Sequence, residues 1–273
     1  MLDNKENNID EELKKFTSQQ KYLSDIPFIF GRSIFEYDIK QANIHALLAA
    51  GKISFEEFRY LSLAPKQIRE IEIGNRIKAN PDLYQDIQKV ICEAKYRFMK
   101  ENGIQPVQIL RIANDSLYVQ TPINNYNNIV NINEVPIEFV MKNHFMNYMK
   151  LTNQILFFCN TFGDYWNIDI KGIKQSRQGL HKDFISQLCN IVDARNNGGR
   201  EIAISEFNKI YNAYITYSLP INCYREMNSD SLFKIKGENG FSISGSDSLK
   251  AEQVDYNFNL MILRTVYSYL LQS

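Results

Sequence analysis

An α+β fold is what this 273-residue sequence predicts: a small, mostly antiparallel sheet backed by helices, with a helical C-terminal part. Three observations carry that expectation. Short apolar runs lead to or turn on acidic residues, first at Asp38 and again at Asp115. A long stretch with helical spacing separates the two. Beyond about residue 177 two helix-like patterns and an apolar segment dominate the chain.

Taken in order, residues 1–24 are polar and read as a loose lead or a short helix. Residues 26–30 are apolar around Pro27, and Gly31-Arg32-Ser33 supplies a turn into a strand over 34–39. Helices follow. Residues 43–50 form the first. Ser54 with Glu57 is a capping-box pattern, in which the serine side chain and the glutamate satisfy each other's end of the first turn. Pro65 suits the start of a helix running to about Lys78, because its missing N–H costs nothing there. At 100° per residue Leu61, Ala64, Ile68 and Ile71 share one face through this region, with Lys66, Arg69 and Arg76 on another.

Asn80-Pro81 marks the next helix start, and Leu83, Ile87, Val90, Ile91, Ala94 and Phe98 recur at helical spacing until Gly103. Residues 109–113 and 116–120 are two short strands around Asn114-Asp115, residue types that tolerate tight turns, so a hairpin with Asp115 at its tip is expected. Residues 124–133 read as an Asn-rich loop, and strands are expected over 138–140, 155–159 and 168–170. Helices over 178–195 and 200–217 are separated by Asn196-Asn197-Gly198-Gly199, and residues 256–271 form a strongly apolar helix.

Bulk properties exclude more than they select. Lys plus Arg equals Asp plus Glu at 31 each, so net charge offers no sign of nucleic-acid binding, which depends on local grooves rather than sums. Cys92, Cys159, Cys189 and Cys223 form no C-x-x-C pair, which argues against a zinc site and a disulfide framework. No apolar run approaches the roughly 20 residues that span a bilayer. The polar start lacks a signal-peptide core. A soluble, reduced, intracellular protein is the expectation. His45, His144 and His181 show no metal-ligand spacing, and no Gly-rich phosphate loop or G-x-S-x-G elbow is present.

Four segments, in this order, carry a resemblance. They are Phe35-Glu36-Tyr37-Asp38-Ile39-Lys40-Gln41-Ala42-Asn43, the helix with Lys66 and Arg69, Asn114-Asp115-Ser116-Leu117-Tyr118-Val119, and a last piece in which the basic-aromatic stretch Lys142-Asn143-His144-Phe145-Met146-Asn147-Tyr148-Met149-Lys150 precedes Asp169-Ile170-Lys171-Gly172, Arg177 and a long helix. Together they resemble the palm, reduced fingers and part of the thumb of family B DNA polymerases, over about residues 30–215. The first segment is similar to that family's motif A and the third to its motif C hairpin. Ala113 stands where the family carries a further Asp, Asn43 stands near its sugar-excluding aromatic, and the interval from Asp38 to Asp115 is short for it.

The resemblance implies a polymerase-type palm over 26–176 with short fingers inserted at about 52–103, a thumb-like helical region over 177–273, and a lead over 1–25. It implies template-directed DNA synthesis with two Mg²⁺ or Mn²⁺ ions held by Asp38, the Ile39 carbonyl and Asp115. Lys66, Arg69 and Asn43 would meet the deoxynucleoside triphosphate. Lys150, Lys171, Lys174, Arg177 and Lys182 would meet the primer-template backbone. Tyr118 would pack near the primer terminus or fill the sheet. With no exonuclease motif present, a separate subunit supplying the exonuclease and N-terminal domains is an expected partner. A viral origin and the host cytoplasm follow as expectations. Two rivals stand beside this reading: a catalytically silent palm scaffold, and an unrelated interaction protein whose apolar terminal helix docks a partner.

Overall fold

The computed structural model describes residues 3–19, 21–120, 127–150, 155–162, 165–171, 175–216, 218–219 and 257–272. The expected α+β class is what forms: eight α-helices among the described residues, a six-stranded antiparallel sheet and a second sheet of four strands. The chain divides into two compact units, residues 1–25 with 33–144, and residues 26–32 with 145–273.

The first unit opens with α1, Asp3–Thr17, so the polar start is a helix rather than a loose lead. Leu13 anchors it, almost wholly buried in the core. The sheet runs in the order β1 (Tyr22–Leu23), β4 (Ile109–Ile112), β5 (Ser116–Val119), β3 (Ile34–Ile39), β7 (Val135–Phe145) and β6 (Ile129–Ile132). One face of its central strands offers Tyr37, Ile39, Leu117, Val119 and Ile112 to the core. That face is covered by helices, above all α2 (Ala42–Ala49) and the 20-residue α5 (Asp82–Glu101). Ile87, Val90, Ile91, Ala94 and Phe98 of α5 are buried as their spacing requires. Gly103, at φ +63°, takes the left-handed position that ends it.

Between these helices lie α3 (Phe55–Leu63) and α4 (Lys66–Ala79). The Ser54–Glu57 capping box forms in both directions, with Ser54 Oγ accepting from the Glu57 N–H and Glu57 Oε2 accepting from the Ser54 N–H. The apolar stripe of α4 does not behave as its period suggests. Ile68 and Ile71 are 53% and 64% exposed, and the residue that α4 buries is Ile73. A period fixes which residues share a face, not whether anything covers it.

The stretch expected as an Asn-rich loop contains β6. Its Val130 and Ile132 point inward while Ile129 and Asn131 point out, a period-2 pattern hidden by the asparagine count. Asn133 and Glu134 join β6 to β7 with φ of 49° and 67°, the left-handed pair of a two-residue hairpin whose twist matches its strands. β7 is 11 residues long, well beyond the short strand expected at 138–140.

In the second unit, β2 (Phe28–Ile29) pairs with β8 (Asn147–Lys150), then β9 (Ile155–Phe162) and β10 (Tyr165–Lys171), all antiparallel. Three helices, α6 (Gln175–Asn196), α7 (Arg200–Ile215) and α8 (Asn257–Leu270), share a core with this sheet that includes Met149, Ile170, Phe184, Val192, Phe207 and Val266. Ile262, Leu263, Val266 and Leu270 of α8 are all buried there, so the apolar terminal helix spends its face inside its own unit. No helix among the described residues is long and apolar enough to cross a membrane.

Candidate functional site: a charged sheet face in the first unit

Residues directly opposite in an antiparallel sheet share a face, as do residues two apart on one strand. Glu36 lies opposite Tyr118, Asp38 opposite Ser116, and Arg111 opposite Tyr118. Arg111, Tyr118, Glu36, Ser116 and Asp38 therefore line one face of β4, β5 and β3. The other face carries Tyr37, Ile39 and Leu117 into the core. A single alternation thus separates a packed side from a charged side.

Asp38 and Asp115 come together where β3 meets the turn between β4 and β5. The Ile39 N–H donates to the Asp115 carbonyl at 2.9 Å. Asp115 is exposed in that turn, which closes with the Ala113 N–H donating to the Ser116 carbonyl at 2.9 Å. Burial raises the Asp38 carboxyl above the ordinary carboxylate range, Lys142 opposes the rise through its hydrogen bond, and the Asp115 charge adds to it. That mutual repulsion is a physical sign of two carboxylates sharing one locality.

The ordinary explanation of Asp38, a cap for the following helix, does not hold. The N-cap of α2 is Gln41, in the left-handed region at φ 50°, with no side-chain cap bond. Asp38 instead accepts from Lys142 Nζ of β7 at 3.0 Å. The partnership raises the Lys142 ammonium above its usual range, chiefly through that hydrogen bond. Deeper in the same face, Glu36 is almost fully buried and accepts from Tyr118 Oη at 2.5 Å and Asn143 Nδ2 at 2.5 Å. Tyr118 is itself buried, so of its two expected roles the structure shows sheet filling.

Behind the turn sits Lys95 of α5, wholly buried. Its Nζ donates to the Ala113 carbonyl at 2.8 Å and the Asn114 carbonyl at 3.2 Å. Burial lowers its pKa from the usual lysine value, with the Asp115 charge pulling the other way. Neither Asn114 nor Asp115 takes positive φ, so the hairpin does not rest on the left-handed tolerance of those residue types. A cation beneath two turn carbonyls holds it instead.

The other expected residues stand on other elements or outside the described residues. Asn43 is exposed on the first turn of α2. Lys66 is exposed on α4 and paired with Glu70 at 3.6 Å, and Arg69 Nη1 donates to the Ala64 carbonyl at 3.4 Å. Lys171, in the second unit, is paired with Asp169 at 2.8 Å, two residues away on β10. Lys150 is partly exposed at the end of β8, and its N–H donates to the Pro27 carbonyl at 2.7 Å. Lys174 and the side chains of Arg177 and Lys182 lie outside the described residues. His45 is a packed residue, with Nδ1 at 3.2 Å from the Gln41 carbonyl and its ring edge-on to Phe58.

Sequence assigned no part in this face to five participants: Glu36, Arg111, Lys142, Asn143 and Lys95. Lys95 had a readable signal, since it interrupts the apolar stripe of Ile91, Ala94 and Phe98. Lys142 stood out only within the basic-aromatic stretch 142–150, and nothing local pairs it with Asp38, 104 residues away.

The donor set is hard oxygen. Among the described residues no group of three or more His, Cys, Asp or Glu could hold a metal ion. Two carboxylates suit a cation that completes its shell with water and substrate phosphates, the usual habit of Mg²⁺. An ammonium already lies against Asp38, so the position favours positive charge.

A charged antiparallel sheet face with paired aspartates, backed by helices, is therefore the class of site this chain carries. The chain belongs to the bacteriophage PBS1 gene 130 protein family, whose pattern it matches over residues 6–270. No curated protein matches it.

Proposed function

We propose that the chain is a phage nucleotidyltransferase that extends a DNA primer on a template, built as a reduced palm in the manner of family B polymerases. The observation that carries this reading is the Ile39-to-Asp115 backbone bond, which joins the two acidic segments at one end of one sheet face. Asp38 and Asp115 are the residues that would hold the divalent cations. Such cations supply Lewis acidity to the attacking 3′-hydroxyl and the triphosphate. Lys95 fixes the turn that presents Asp115. Glu36, clamped by Tyr118 and Asn143, stiffens the strand that presents Asp38.

Lys66, exposed, and Arg69, half-buried, are cations on α4 suited to triphosphate oxygens. Lys150, Lys171, Lys174, Arg177 and Lys182 would follow backbone phosphates, and Asn43 would lie beside the incoming nucleotide. The reading includes work in the host cytoplasm beside a second polypeptide that carries exonuclease and N-terminal parts.

A second reading has its own observation. Lys142 Nζ sits 3.0 Å from Asp38, and Ala113 replaces a further acid, as expected for a palm kept as a replication scaffold without catalysis. Primer extension on primed DNA with Mg²⁺ or Mn²⁺ separates the two. Template-dependent products that vanish in Asp115→Ala support synthesis. Absence of products from the wild type, alone and with phage replication proteins, leaves the scaffold.

A further inference from the structure

Arg111 is the cation of the charged face that no other residue explains. It lies on β4 opposite Tyr118, with its guanidinium carbon 5.5 Å from the centre of that ring. The ring cannot swing away, because Tyr118 is buried and its hydroxyl is bonded to Glu36. Among the described residues Arg111 has neither an ion pair nor a side-chain hydrogen bond, whereas Lys142 on the same face is matched by Asp38. The side chain is only partly exposed.

A guanidinium laid over a fixed aromatic loses little further freedom on binding, and its N–H edges stay open for a bidentate acceptor. A guanidinium fork matches a phosphate ester bidentately, and cations held at Asp38 and Asp115 would offset the repulsion of such an anion by the neighbouring carboxylates. Two strand spacings and two residues of rise put the Arg111 Cα roughly 12 Å from that of Asp38. At about 3.4 Å of rise per nucleotide, the extended arginine reaches a phosphate a few steps from a 3′ end held at Asp38.

We propose that Arg111 binds a backbone phosphate of the primer strand, a few nucleotides behind the terminus. The proposal rests on the palm reading for the position of that terminus. The triphosphate of a free nucleotide shares the same chemistry, and the test distinguishes them.

The experiment measures anisotropy of a labelled primer-template across salt concentrations, without nucleotide, for wild type, Arg111→Lys and Arg111→Met. Each protein's fold is checked by its melting curve. Arg111→Met is expected to weaken binding roughly tenfold, one charge-assisted hydrogen bond. It should also flatten the slope of log affinity against log salt by about 0.9, one phosphate contact. Arg111→Lys restores the slope but only part of the affinity, since the charge returns without the fork.

Single neutral methylphosphonates along the primer then locate the contact: one position weakens the wild type and leaves Arg111→Met unchanged. Wild-type affinity and slope in Arg111→Met overturn the proposal, as does a loss confined to binding of a fluorescent deoxynucleoside triphosphate. Wild type that binds no primer-template overturns it together with the palm reading. Wild type that binds through Arg111 yet extends no primer overturns synthesis while the phosphate site stands.

Discussion

At the scale of single residues, the charged face is a set of opposed electrostatic demands. Asp38 is held above the ordinary carboxylate range mainly by burial. An acid whose folded pKa exceeds its unfolded one binds more protons when folded between the two values, so stability falls as pH rises through that interval. The cost is absent below 3.8 and fully present once pH passes the raised value. Asp38→Asn should therefore gain on the wild type in urea unfolding as pH climbs from below 3.8 to neutrality; an unchanged gap would refute it. If the pair holds a cation, Mg²⁺ should stabilise the wild type by about 1.4 kcal/mol at roughly ten times its Kd and leave Asp38→Asn unmoved. Thermal melts with and without Mg²⁺ read this directly. Lys95 works with the opposite sign. Its folded pKa lies below the ordinary 10.5, so the unfolded chain binds the extra proton between those values and stability rises with pH across that window. Lys95→Met should abolish that alkaline rise. At neutral pH its net effect should stay under about 2 kcal/mol, because two lost hydrogen bonds oppose a relieved desolvation.

At the scale of elements, the sequence was legible where local chemistry decides and opaque where coverage decides. The Ser54–Glu57 box, the strand into Asp38 and the buried stripe of α5 all follow from short-range patterns, whereas the Asn114-Asp115 hairpin forms where expected but is held by Lys95 from another element. The partner of Asp38 does not, because only the pairing of β3 with a strand a hundred residues on brings Lys142 to it. α4 shows the same limit. Ile68 and Ile71 satisfy a helical stripe, yet they face solvent while Ile73 is 4% exposed. Ile73→Ala should thus cost about 2–5 kcal/mol, the range for emptying a packed position. Ile68→Lys and Ile71→Lys should stay within about 0.5 kcal/mol of the wild type. Urea midpoints of the three variants test the assignment, and a large loss from either lysine variant would mean that this face is covered. The site was legible to the same degree. Its two aspartates could be read from strand and turn and Lys95 from the stripe it interrupts, whereas Glu36 and Arg111 needed the register that fixes who faces whom.

At the scale of the whole molecule, the chain crosses between its two units more than once. Residues 26–32 leave the first unit, add β2 to the four-stranded sheet of the second, and return at Ser33. Phe28 pairs in register with Met149 and Ile29 with Tyr148, and the Phe30 ring packs tilted against that of Tyr269, their centres 4.2 Å apart. The first unit's core, in contrast, draws on residues within 9–139. Cutting after His144 should therefore have unequal consequences. Fragment 1–144 keeps every buried residue of its own core and should unfold cooperatively, with α1, the six-stranded sheet and the Asp38–Asp115 pair intact. Fragment 145–273 loses the edge strand that covers β8, and an uncovered strand edge invites association between chains. It should be poorly soluble or molten by near-ultraviolet circular dichroism. A peptide spanning residues 26–32, added in excess, should restore cooperative unfolding by binding the folded form alone. Cooperative, peptide-independent unfolding of 145–273 would show that β2 is dispensable. Failure of 1–144 to fold would show that its core is not self-sufficient, despite lying wholly within that fragment.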